Sequence, residues 1–519
     1  MPSRRTLFST TGLCILIGGL AAPAIAQEAT VDLGTLVLRG EKIGRTPQET
    51  PSSTSVIPGA EAEAAINSDM DDILDAEPNI LANEGFKAPA IRGIDANGGE
   101  RPAISAGAQP RIPVLVDDVP LPSGEASNLT QTSTWDIDTV EVARGPQATS
   151  TGRNTLGGAI RVYTRDPEYF REGALRTTVT DQNSAGLDVM FNMPLIEDQL
   201  AFRFTGEFSG GDSYITNSPN PLPIGIDPND EESKRLRAKL LWEPADVPGL
   251  RLLFAAEYSE AKGPTEGFFN GDINDLSLAA PFAFSNSYED VEQTIYSFRG
   301  EYELGANTTL VGRLSWLDSD LKFLDTGEEL FPGATFGTTR FQKELAEAEV
   351  YLQFQNIGII NKGVFGIIHT TEDEIGSNDG ALIPFSLTGD IENTGIYGEV
   401  ELDGSALAPG MAFILGGRYE IDKRTRTTVD AKGTLVGTGT FEEEVFLPKA
   451  GVRYDVNGFT TVGYTYSEGF RGGGLDADLS APFAGAPFSA VAFSAERLKQ
   501  HEIYGRTSLL DGALDLKAS

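Results

Sequence analysis

Residues with the chemistry of a nucleophile, a general base or a metal ligand are sparse in this chain. Its 519 residues include two histidines, His369 and His501, and one cysteine, Cys14. The histidines lie far apart, each in an alternating stretch. His501-Glu502 opens a zinc-protease motif, but Gly505 stands where the second histidine belongs. No serine sits in a nucleophile elbow. Asp69, Asp71 and Asp72 suggest a calcium loop, yet the glycine needed at its sixth position is missing. They fit better in the first turn of a short helix over Asp69 to Ala76, capped by Ser68. Gly152 and Gly157 have phosphate-loop spacing, but Gly158 and Ala159 replace the required Lys and Ser/Thr. Carboxylates such as Glu301 and Glu399 are frequent enough to meet by chance, and they suit pairing with arginines better than acid–base work. No catalytic set, metal site or cofactor is expected, which leaves binding as the chemistry to place.

The elements that would position a binding site begin behind a leader. Arg4 and Arg5 precede the apolar run Leu13 to Leu20, and Ala24-Ile25-Ala26 offers a small-residue cleavage site, so residues 1–26 read as a signal peptide. Removing it takes Cys14 away and, by removing two arginines, moves the net charge from −36 to −38. So acidic a balance disfavours a nucleic-acid partner. Hydrophobic content is 40%. Beyond the leader no apolar run is long enough for a spanning helix, which excludes a helical membrane protein but not a barrel.

The densest pattern lies at Asp136 to Val162. Ile137, Val140 and Val142 alternate with polar positions as in a half-buried strand. Arg144-Gly145-Pro146 stops that strand, and Ala159 to Val162 resumes an extended run. The segment Val140 to Ile160, VEVARGPQATSTGRNTLGGAI, resembles the plug signature of TonB-dependent outer-membrane receptors. The likeness rests on Arg144, Gly145, Pro146 and Gln147, on Arg153 and Asn154, and on Gly157, Gly158, Ala159 and Ile160. It departs at Ala143 and at Thr149 to Thr151. Ala90 to Ile94 and Pro113 to Pro120 match plug strands of the family, each read as one strand.

Further expectations follow from the resemblance. Leu33, Gly34, Thr35, Leu36, Val37 and Leu38 are similar to the Ton box, the extended segment through which such receptors add to the edge of TonB. Thr46 to Thr54 reads as a polar linker. Arg101, Gln109 and Arg111, in the loop between two plug strands, are candidate substrate contacts. Arg144, Arg153 and Arg161 are candidate ionic locks between plug and lumen carboxylates.

After Asp166-Pro167 the period becomes two. Leu236, Ala238, Leu240 and Trp242 alternate with Arg235, Arg237, Lys239 and Glu243, and similar rows recur at Leu200 to Phe208, Tyr296 to Leu304 and Ile396 to Glu401. Short links such as Gly305–Asn307 and Val456–Gly458 alternate with long ones such as Leu321–Arg340, Thr371–Asp390 and Thr427–Thr440. That rhythm suits an up-and-down membrane barrel with tight periplasmic turns and long outer loops. Pro448 to Tyr454, Tyr464 to Gly474 and Glu496 to Leu510 again resemble the family.

The fold expected is therefore an all-β transmembrane antiparallel barrel with an N-terminal α+β plug. Its divisions are 27–45 for Ton box and linker, 46–166 for the plug and 167–519 for the barrel. Strand counting gives fifteen from Glu172 onward, ending at Leu514 to Ser519, where the family implies about 22. The reading accordingly expects missing C-terminal strands and an unclosed sheet. The function implied is energised import of a scarce solute, first of all a ferric siderophore, by a monomer in the Gram-negative outer membrane with TonB and lipid as partners. A passive plugged channel, cobalamin or glycan uptake, and a soluble secreted β-protein stay open.

Overall fold

The computed structural model describes residues 37–519 apart from 65–69, 82–88, 97–108, 123–131, 181–182, 213–215, 218–229, 265–276, 279–287, 326–336, 380–383, 479–486 and 511–513. The leader, Leu33 to Leu36, Ser68 with Asp69, and Arg101 lie outside the described residues.

The plug contains β1 (Ser53–Pro58), α1 (Gly59–Ala62), α2 (Met70–Asp75), β2 (Ile80–Leu81), β3 (Ala90–Ile91), β4 (Ile94–Asp95), β5 (Val114–Val116), β6 (Val119–Pro120), β7 (Ile137–Arg144) and β8 (Gly158–Thr164). Its main sheet has the order β1-β7-β8-β5-β6. The β5–β8 pair is parallel, with Val114 opposite Ile160 and Val116 opposite Val162. The alternating apolar residues of β7 and β8 put Val140, Val142, Ile160 and Val162 into one buried cluster with Ile57, Met70, Leu74, Ile91 and Ile112. Removing such side chains from water supplies the plug's cohesion, on the order of 2 kcal/mol for each large one.

Two segments expected as single strands are hairpins instead. Arg92 and Gly93 both have positive φ, 53° and 77°, and so do Asp117 and Asp118, 47° and 67°. Two successive left-handed residues make the tight turn whose twist suits paired strands. Asp tolerates that conformation better than most residues, whereas the apolar run of Pro113 to Pro120 conceals the reversal.

The wall is one antiparallel sheet of fifteen strands in sequence order, from Glu172–Val179 to Leu514–Ala518. Those two strands are its edges, and they are not paired with one another. Burial along the wall is the reverse of a soluble protein's. Arg235, Arg237 and Lys239 are buried, as are Arg418 and Glu420, while Phe365 and Phe446 are each 58% exposed. Apolar rings pair along the outer face, Phe254 with Phe298 and Tyr296 with Trp316.

Several expected long loops prove to be strand. Ile360–Asn378 is followed by a strand starting at Phe385, and Met411–Asp430 turns directly into Leu435–Asp455. Thr425 pairs with Thr440 and Thr427 with Thr438, hydroxyl to hydroxyl. Polar side chains on both faces erase the period-two hydropathy while the β-branched backbone stays extended.

Candidate functional site

The plug's contact with the wall is built mainly from paired charges. Asp136, at the start of β7 with φ 59°, accepts from Arg203 Nε at 2.9 Å. Lys239 reaches Asp117 at 2.9 Å and Asp166 at 3.1 Å. Asp118 accepts from the Tyr163 hydroxyl at 2.7 Å and lies 3.5 Å from Arg299 and 3.9 Å from Arg313. Burial pushes the Asp118 carboxyl up, but the Arg313 and Arg299 guanidiniums outweigh it and hold it well below the usual carboxylate range. Apolar contact is limited to small clusters, such as Ala148 against Val445, Leu447 and Phe470. Gly469 permits that approach, because a Cβ there would come within 2.9 Å of the Thr155 carbonyl oxygen.

The signature arginines divide. Arg153 Nη2 meets Glu372 of the wall at 3.1 Å. Arg144, expected to face lumen carboxylates, stays inside the plug. Its guanidinium donates to Ser55 Oγ at 2.9 Å, to the Pro78 carbonyl at 3.0 Å and to Glu77 at 3.0 Å. The last residue of β7 is flanked by Ser53 of β1 and Gly158 of β8, so its side chain is aimed at the plug's own corner after α2. Arg161 stands opposite Glu141 in register, is bonded to the Thr151 hydroxyl and packs over Gly40. The remaining signature residues shape the turn. Gly145 has φ 81° and donates to the Gly157 carbonyl at 2.9 Å, while the Gln147 carbonyl accepts from the amides of Thr151 and Gly152 at 2.9 and 3.2 Å. Pro146 lies within that buried turn. Gly158 has φ 150°, and a Cβ there would stand 2.3 Å from the Ala143 carbonyl oxygen.

Of the candidate contacts, Gln109 donates to Glu372 at 3.0 Å, converging with Arg153 on one carboxylate. Arg111 makes a forked pair with Glu496, at 2.7 and 2.6 Å. Of the Ton-box-like hexapeptide, Val37 is exposed but Leu38 is 1% exposed, its amide donating to the Arg45 carbonyl at 2.7 Å.

Sequence reasoning missed a belt. Residues 37–52, expected as the end of the Ton-box-like segment and a polar linker, lie against the wall at its short-turn end. Arg39 and Gly40 amides donate to Glu141 at 2.8 and 3.1 Å. Lys42 Nζ reaches Glu349 at 2.5 Å. Ile43 packs among Val311, Tyr351, Val364, Ile368 and Tyr397 of the wall. Arg45 is fully buried, bonded to Glu399 at 2.5 Å, Glu401 at 3.1 Å and Glu41 at 3.3 Å. Glu49 pairs with Lys362 at 2.7 Å, and Arg506 holds the carbonyls of Thr50 and Ser52. The available signal was the row of lumen-face charges at Glu399, Glu401, Arg453 and Arg506, which need partners inside the barrel. Among the described residues no group of three His, Cys, Asp or Glu converges as a metal site.

Residues 46–159 match the TonB-dependent Receptor Plug Domain, and residues 242–519 match the TonB dependent receptor-like β-barrel. The Ferrioxamine B receptor of Salmonella typhimurium is 25% identical over 268 residues, 49% of this chain and 35% of that protein. The Pesticin receptor of Yersinia pestis is 29% identical over 177 residues, 33% of this chain and 25% of that protein. These alignments thus span about a third or less of the curated relatives' own length. The fold is similar to that of the ferric yersiniabactin uptake receptor FyuA from Yersinia pestis, with a TM-score of 0.72 at 19% identity, covering 89% of this chain and 70% of that one. The alcaligin outer membrane receptor FauA from Bordetella pertussis gives 0.64 at 17% identity, covering 91% and 70%. With the barrel match alone taking in more than half of the sequence, the chain belongs to the family of TonB-dependent receptors.

Proposed function

We propose that this receptor imports a scarce iron chelate of the siderophore class across the outer membrane, using energy delivered by TonB. One observation carries the reading. A separately cored plug sits inside an apolar-skinned wall, held by ion pairs and by a belt that leads at Val37 directly into the Ton-box-like segment. A wall exposing Phe365 and Phe446 while burying Arg418 suits lipid outside and a polar lumen inside. Export by the N-terminal leader, residence in the Gram-negative outer membrane and a monomeric state complete the proposal. No covalent chemistry on the cargo is included. Glu301 and Glu399, which could have hinted at it, are paired with Arg251 and Arg299 and with Arg45 and Lys449 respectively.

Mechanically, a pull on Leu33–Leu38 is transmitted first to the belt. The belt's ion pairs are buried, but a pair that separates can regain hydration and other polar partners, whereas an opened apolar core gains none. The plug can thus shift before its sheet unfolds. Deleting Leu33–Leu38 and following uptake of radioiron-loaded ferrioxamine B under iron limitation tests this. Uptake should vanish with the receptor still inserted; uptake that persists would make the chain a passive plugged channel.

A further inference from the structure

The outer face of the wall carries a feature that solute import leaves unexplained. Five neighbouring strands set Phe204, Ala238, Ala256, Tyr296 and Trp316 side by side in one row. The two alanines are short among rings, and the row beneath supplies Phe254 and Phe298, paired at 4.8 Å. A groove of about 480 Å³ results, open to the surroundings of the wall. That volume falls within the roughly 300–1,000 Å³ of ordinary small-molecule sites. Tyr296 stacks on Trp316 at 5.7 Å and forms the rim furthest from the short turns.

Beyond that rim the chemistry changes within one row. Asp318 stands opposite Glu344, Glu344 opposite Asp373, and Asp373 opposite Asp390, four carboxylates on four adjacent strands. Asp318 is two residues past Trp316, and the Trp316 indole N–H donates to Glu344 Oε1 at 2.7 Å. Like charges directly opposite one another destabilise a sheet, so the row calls for a counter-charge. Among the described residues none of the four is in an ion pair. Lys234, Lys322, Arg340 and Lys423 of the same face pair with Glu260, Asp290, Asp320 and Glu442.

We propose that the groove holds one acyl chain of a phospholipid whose head bears a primary ammonium, with that ammonium on Asp318 and Glu344. The apolar floor takes the hydrocarbon, and the carboxylates begin where the head group would. A carboxylate that already accepts from an indole has lone pairs left for an ammonium, whereas a purely anionic head is repelled by the row. Such a lipid keeps one place on the wall, unlike the chains that merely surround it. The inference rests on the lipid-facing reading of the wall and not on the identity of the cargo.

Tryptophan fluorescence tests it, because the sequence has three tryptophans, Trp135, Trp242 and Trp316. Trp135→Phe with Trp242→Phe leaves Trp316 at the groove. Trp135→Phe with Trp316→Phe leaves Trp242, which is 42% exposed and outside the groove lining. Each receptor is reconstituted in vesicles of phosphatidylethanolamine and phosphatidylglycerol in equal parts, with quenching bromines on the chains of one lipid or the other. Brominated phosphatidylethanolamine should quench Trp316 at about one fifth of the mole fraction that brominated phosphatidylglycerol needs, while Trp242 responds to both alike. Ala256→Phe, which fills the groove, and Asp318→Asn with Glu344→Gln, which discharges the row, should each remove the preference. Either suffices where the other fails to assemble. Equal quenching of Trp316 by the two lipids, or the same preference at Trp242, would overturn the seat. A preference for phosphatidylglycerol that needs added magnesium would overturn it too, making a divalent cation the counter-charge. Trp316 shielded from both lipids while Trp242 is quenched would give the groove to a protein partner instead. If neither tryptophan is quenched, the wall does not face lipid, and the membrane reading beneath the inference fails with it.

Discussion

The interior of the plug and its boundary with the wall use opposite chemistry. Inside, Val140, Val142, Ile160 and Val162 meet Met70 and Leu74 in a dry cluster. At the boundary, Asp136, Asp117, Asp118, Lys42 and Arg45 are matched to Arg203, Lys239, Arg313, Glu349 and Glu399. The apolar cluster loses its advantage once any part is wetted. An ion pair in the lumen exchanges one set of polar partners for another. The plug is thus a cohesive apolar body bordered by paired charges, and the difference predicts how damage to each region is felt.

The largest effect belongs to the core. Val140→Asp places an unpaired charge among fully buried apolar residues and should cost more than about 4 kcal/mol. Limited proteolysis is expected to remove the plug while wall strands stay protected; a plug that remains resistant would break the comparison. Next comes Arg45→Met, which leaves Glu399, Glu401 and Glu41 without their shared cation. Losing one partner from such a buried set costs about 3–5 kcal/mol. Hydrogen exchange should rise across residues 37–52 with β7 and β8 unchanged, and adding Glu399→Gln should recover part of the loss. Exchange rising equally in β7 would show belt and core to be one unit.

Acid sharpens the contrast further. The folded pKa of Asp118 is depressed below its unfolded value of about 3.9, so its stabilisation is complete above that pH and is lost as pH falls through the folded value. Plug protection should therefore persist at about pH 4 and fall only in stronger acid. In Asp118→Asn the docking should be weaker at neutral pH and less sensitive to acid. The smallest effect is expected at Arg111, whose side chain and that of Glu496 are 22% and 36% exposed. Arg111→Ala should change stability by about 1 kcal/mol or less, read as an unchanged exchange pattern in the plug sheet.

The same contrast explains what was legible in the sequence. Period-two alternation revealed the wall because its two faces carry opposite polarity on alternate residues, as at Leu236 to Trp242. The plug signature was legible because its turn needs particular backbone geometry at Gly145 and Gly158. The belt was not: Thr46 to Thr54 is polar, and polarity normally means solvent. Here it means a charged wall, which only the three-dimensional arrangement places beside it. Arg144 was misread for a related reason, since a guanidinium at the end of β7 can face lumen or plug, and the short corner at Glu77-Pro78 decides.

The central claim is that the belt yields before the plug core does. Pulling a single receptor from its N-terminus, with the wall held in a bilayer, tests it directly. The first rupture should release residues 37–52 alone, a gain of about 50 Å at the reach of an extended chain, and a later, separate event should unfold the plug sheet. In Arg45→Met the first event should occur at lower force and the second be unchanged. A single rupture that releases belt and plug sheet together, in both proteins, would contradict the account.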